Sequence, residues 1–135
     1  MKKIGLLVLS FLLLQPAPAE ALFNRDCSNL KKRVSSNQIK FEMSWDKYQT
    51  ALGKYQAIRN PPYGADQEVA NRLRVTWISI ETILKDMKRF PKCLSVPIQT
   101  VNQNLADINV KKSEYVSFRY GAPIPETYDF RTYLK

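Results

Sequence analysis

The stretch "NPPYGAD", Asn60 to Asp66, separates the two longest periodic segments of the chain. Pro61 disfavours a helical conformation at Asn60, and a Pro-Pro pair with a nearby glycine enforces a turn. Asp66 then stands where it can N-cap the segment that follows. Upstream, from Asp26 to Asn60, the residues Leu30, Val34, Phe41, Trp45, Tyr48, Leu52 and Tyr55 recur at intervals of three, four or seven. That is the spacing of one face of an amphipathic helix. Asn37 or Gln38 fills the single polar gap in this stripe, and Asp26 or Ser28 is the expected N-cap. Such a rod is roughly 50 Å long, and Gly53 near its end is a place for a local irregularity.

Downstream, a second helix is expected from Asp66 to about Arg89, with Val69, Leu73, Trp77, Ile80, Leu84 and Met87 on one stripe. Val75, Ile78 and Ile83 widen its apolar surface beyond the needs of one partner, so this helix is expected at the centre, covered on two sides. If the chain reverses at the turn, facing positions have nearly constant index sums. Tyr55/Val69, Leu52/Leu73, Tyr48/Trp77, Trp45/Ile80 and Phe41/Leu84 obey this, each pair summing to 124 or 125. Cys27 and Cys93, the only cysteines, sum to 120 and fall at the open end of the hairpin. A disulfide needs Cα atoms within about 7 Å, which this layout allows, so the pair is read as a structural staple rather than a redox or intermolecular thiol. A third helix follows, from about Pro97 to Lys112, with Ile98, Val101, Leu105 and Ile108 as its core face. The expected fold is all-α: a three-helix antiparallel bundle, a long helical hairpin plus a third helix, with an extended aromatic C-terminal tail.

The N-terminus sets the expected compartment. Lys2 and Lys3 precede an apolar run from Ile4 to Leu14, and Ala19-Glu20-Ala21 follows as a small-residue cleavage signal. This order is that of a secretory signal peptide. The run, interrupted by Pro16 and Pro18, falls short of the roughly 20 apolar residues that span a bilayer. Cleavage is expected before Leu22, giving residues 1–21 as signal peptide, 22–114 as the stapled bundle and 115–135 as the tail. The protein is expected to be periplasmic or secreted, in a bacterium, where a disulfide persists. Cleavage leaves 114 residues and changes the net charge from +9 to +8. The absence of histidine excludes Ser-His and Cys-His nucleophile systems and His-ligated metals. The cysteines have no C-x-x-C spacing, and neither G-x-G-x-x-G nor a P-loop occurs, so no cofactor is expected.

Three surfaces are candidates for function. Arg33, Lys40, Lys47 and Lys54 repeat every seven residues along one edge of the first helix, with no acidic residue three or four positions away. They suit an anionic partner: an acidic protein surface, an anionic polymer or a membrane surface. The competing reading is an ordinary charged edge satisfied from neighbouring helices by Glu81, Glu68 or Asp107. The tail holds Tyr120, Tyr128, Phe130 and Tyr133, which either contact a protein partner or pack back on the bundle. Val116/Phe118/Tyr120 and Tyr128/Phe130/Thr132 alternate with polar residues as in a half-buried strand, so a small hairpin is a second arrangement for this segment. Glu42, Asp46 and Glu81 are the carboxylates that a small hydrolase would use. The favoured function is a non-enzymatic exported binding protein that uses the basic edge and the tail. A structural assembly subunit, self-associating through the tail, and the carboxylate hydrolase are alternatives. Nucleic acid is not favoured, because export and the lack of exposed basic-aromatic interleaving argue against it.

Overall fold

The computed structural model of the chain describes residues 19–113 and 129–135. Within them lie three helices: α1 (Ala19–Ala57), α2 (Ala65–Arg89) and α3 (Ile98–Ser113). Two short 3-10 turns, Pro91–Cys93 and Phe130–Tyr133, complete the regular structure. The described residues thus form an all-α helical bundle. Its core draws Leu30, Val34, Phe41 and Tyr48 from α1, the 69/73/77/80/84/87 stripe from α2, and Val101, Leu105 and Ile108 from α3. The expected stripe members Trp45, Leu52 and Tyr55 are partly buried and pack against that core.

Two helix starts differ from the sequence reading. α1 runs through Asp26 and Ser28 as helix interior, so neither is its N-cap. The overhang from Ala21 to Asp26 is exposed along its whole length. At the other helix, Gly64 rather than Asp66 is the N-cap, with φ 87° and no side-chain cap. Glycine adopts this left-handed conformation without steric cost, and it lets Ala65 donate back to the Pro62 carbonyl at 3.1 Å. Asp66 instead sits in the first turn of α2, favourable to the helix dipole. Gly53 causes no break; α1 runs through it.

α3 packs along one side of α2 only. Lys112 Nζ lies 2.5 Å from Glu81 Oε2, and Lys111 Nζ stands 5.2 Å from the centre of the Trp77 ring. At 100° per residue, Val75 and Ile78 point elsewhere. Their exposures of 51% and 39% overturn the expectation that they help cover two sides, although Ile83 is fully buried.

Cys27 and Cys93 are bonded, with Cα atoms 5.3 Å apart. The C-terminal residues are tied to the same place. Ser95 N–H donates to the Tyr133 carbonyl at 2.6 Å and Lys135 N–H to the Cys93 carbonyl at 3.1 Å. Leu94 and Leu134 form an isolated antiparallel bridge.

Candidate functional site

The seven-residue spacing places successive members of the basic row about 10.5 Å apart on α1. Its first member is not free. Arg33 Nη2 lies 2.5 Å from Asp86 Oδ1, a carboxylate whose side chain is only 7% exposed. Asn37 Nδ2 donates to the other Asp86 oxygen at 3.3 Å. A buried carboxylate needs such a partner, so Arg33 is committed to the fold and leaves the expected anion-binding edge.

The acids named as interhelical partners are also engaged, but with other cations. Glu81 binds Lys85 at 2.6 Å and Lys112 at 2.5 Å. Glu68 binds Arg72 at 2.7 Å, and Asp107 binds Lys111 at 3.1 Å. Burial pushes the Glu81 pKa up, yet the hydrogen bonds from Lys112 and Lys85 outweigh it and hold the group below the ordinary carboxylate value. Glu81 is therefore an ionised brace between α2 and α3. Among the described residues, Lys40, Lys47 and Lys54 form no ion pair, and all three are exposed.

Beside these lysines runs a groove of about 700 Å³ between the end of α1 and the start of α2. Lys47 and Lys54 stand on one rim and Arg72, paired to Glu68, on the other. Ala51, Tyr55, Ile58 and Val69 give it an apolar lining. Two seven-residue rows border this side of the hairpin. On α1 it is Asn37, Ser44 and Ala51, all half-buried; on α2 it is Ala65, Arg72, Ser79 and Asp86. The Asn37–Asp86 bond joins the rows at one end. Trp77 and Glu81, which meet α3, lie about half a turn round α2 from Arg72 and Ser79. The groove is thus on the side of α2 that α3 does not cover.

The remaining candidates separate. Asp46 lines the groove, but Glu42 and Glu81 do not, so the three hydrolase carboxylates are not brought together there. Among the described residues no group of three or more His, Cys, Asp or Glu side chains is placed to hold a metal. Tyr120 and Tyr128 lie outside the described residues. Phe130, expected at a partner surface, is fully buried in the protein's own core. Its ring meets Tyr133, half-buried, edge-on at 6.1 Å. The polar gap in the α1 stripe explains the docking: Gln38 is buried there and its Nε2 donates to Asp129 Oδ1 at 3.4 Å. Residues 129–135 form a docked 3-10 turn in place of the strand suggested for Tyr128 to Thr132.

No protein-family model, curated protein or solved structure matches the chain. The side-chain chemistry alone carries the functional reading. The sequence had marked Lys47 and Lys54 but not Arg72 or Asp86. Their shared seven-residue row with Ala65 and Ser79 was the available signal, visible only when both helices are registered against each other.

Proposed function

We propose that the chain is a non-enzymatic exported binding protein that holds an anionic partner along the Lys40, Lys47 and Lys54 edge of α1. One observation carries this reading. Among the described residues these three lysines stay exposed and without a carboxylate, while Glu68, Glu81, Asp86 and Asp107 are all taken by other cations. Three ammonium groups in a line, two of them on the rim of a groove, raise the local concentration of anions. The scaffold in this proposal is an antiparallel three-helix bundle. The Cys27–Cys93 bond at one end and the shared groove of Ile58 and Ala65 at the other support it.

Export is supported by the apolar run ahead of Ala19-Glu20-Ala21 and by the disulfide. Of the described residues, cleavage before Leu22 removes only Ala19, Glu20 and Ala21, which are exposed. Among the described residues no helix is long and apolar enough to cross a membrane.

The test compares two triple variants on immobilised heparin and on anionic phosphatidylglycerol vesicles. Lys40/Lys47/Lys54→Glu reverses the edge, and Lys31/Lys32/Lys92→Glu makes the same net change at exposed sites near the disulfide. The edge variant is expected to lose retention near physiological salt while the control keeps most of it, with both lost at high salt. Equal losses by the two variants would mean that net charge alone binds anions, and the edge would not be the site.

A further inference from the structure

We infer that the anionic partner is an acidic amphipathic helix of another protein, seated in the α1/α2 groove with its carboxylates facing Lys40, Lys47 and Lys54. This rests on the proposed anion-binding edge and narrows it to one class of partner. The spacing is the first argument. Cations repeating every seven residues, about 10.5 Å apart, match carboxylates that repeat every seven residues on a second helix. A flexible polyanion or a lipid surface has no such period and gains nothing from it.

The groove supplies the second argument. A helix needs an apolar channel for its own stripe, and Tyr55, Ile58 and Val69 line one here. Ala51 and Ala65, half-buried and small, let a helix backbone come close. The volume of about 700 Å³ lies on the scale of sites that bury a ligand. Its rim carries Lys47, Lys54 and Arg72 against Asp46 and Glu68, with Glu68 already held by Arg72, so the lysine side of an apolar floor fits the helix-in-groove mode of recognition. α3 covers the opposite side of α2, so this side of the hairpin is uncovered by any described element.

Charge complementarity excludes the nearer occupants. A second copy, cleaved before Leu22, brings a further net charge of +8. Residues 1–18 contain no carboxylate, and residues 114–128 contain only Glu114 and Glu126, with Pro123 and Pro125 against a helix. Neither of these segments therefore supplies an acidic heptad. The partner must bring one.

The probe is a fluorescent, amide-capped helical peptide of three heptads, about 30 Å long, with Glu and Leu each repeating at seven-residue spacing. Its control is an isomer of identical composition with the repeat shuffled. Full-length protein at physiological salt is expected to bind the heptad peptide about tenfold more tightly than the isomer. Ala51→Trp, which fills the groove, is expected to weaken the heptad peptide about tenfold while heparin retention stays unchanged. Ile58→Gln, at an exposed position just beyond α1, removes apolar lining without changing charge, does the same and guards against misfolding of the first variant. Equal binding of the two isomers, binding of neither, or undiminished binding by both groove variants overturns the inference. Preference for phosphatidylglycerol vesicles over the heptad peptide overturns it too. The outcomes separate the two claims: loss of heparin retention in the edge variant with equal binding of both isomers removes the helix and keeps the anion edge. Heparin retention that survives Lys40/Lys47/Lys54→Glu removes the edge itself.

Discussion

At one end of the bundle Cys27 is bonded to Cys93, Arg33 pairs with the buried Asp86, and the last residues are fastened by hydrogen bonds to Cys93 and Ser95. At the other end, α1 and α2 are joined by a proline-rich loop with Tyr63 wholly exposed, and an open groove carries Lys47 and Lys54, which form no ion pair among the described residues. The same two helices form both ends. The difference is in what their polar residues do. Near the disulfide Arg33 of α1 is paired with Asp86 of α2 and serves the fold, whereas nearer the turn Lys47 and Lys54 are exposed and form no ion pair among the described residues. Under the proposed function, stability and binding belong to opposite ends of the α1/α2 pair, and each end is expected to tolerate damage to the other.

The largest effect tests the tied end. Cys27→Ser with Cys93→Ser opens a loop with a sequence separation of 66, and the chain-entropy account assigns its closure about 4 kcal/mol. Urea denaturation is expected to show that loss, with peptide and heparin binding of the still-folded protein unchanged. If peptide or heparin binding by the folded protein falls when the disulfide is removed, the two ends are coupled and the division fails.

Phe130→Ala is expected to cost about 3 kcal/mol, the lower end of the range for a buried aromatic. The removed ring is fully buried. The same variant discriminates between roles for the tail. A structural anchor predicts reduced stability and faster proteolysis of the last residues, read by mass spectrometry, with an unchanged oligomeric state. A change in oligomeric state instead would return the tail to partner binding.

The comparison also shows what the sequence made visible. Asn60 to Asp66 and the two apolar stripes were enough to register α1 against α2, and that register brought Cys27 near Cys93 before any coordinates. Local periodicity carries this information because one helical face must be buried. The docking of Phe130 was not legible. Its alternation with polar neighbours resembled a strand, and nothing local says that the gap at Gln38, more than ninety residues away, receives it. Asp86 was equally silent, since a lone acid on a helix is usually solvated and only the crossing of two helices brings Arg33 to it. The Lys47/Lys54 rim was legible as a row of charges, but the groove beneath it needs both helices at once.

The smallest effects distinguish the two glycines that flank the turn. Gly64 has φ 87°, where any side chain is strained, so Gly64→Ala is expected to destabilise by about 1 kcal/mol. Gly53 lies inside α1, and a Cβ added there meets nothing within 4 Å. Gly53→Ala is therefore expected to stabilise by about 0.5–1 kcal/mol, through lower chain entropy of the unfolded state and better helix propensity. Thermal unfolding reads both as shifts of a few degrees in opposite directions. Gly53 lies well round the helix from Lys47 and Lys54, so the stabilised variant should bind the heptad peptide as before. A gain in stability accompanied by a loss of binding would mean that the open end depends on a flexible α1, and that its groove is shaped by motion rather than by the side chains that line it.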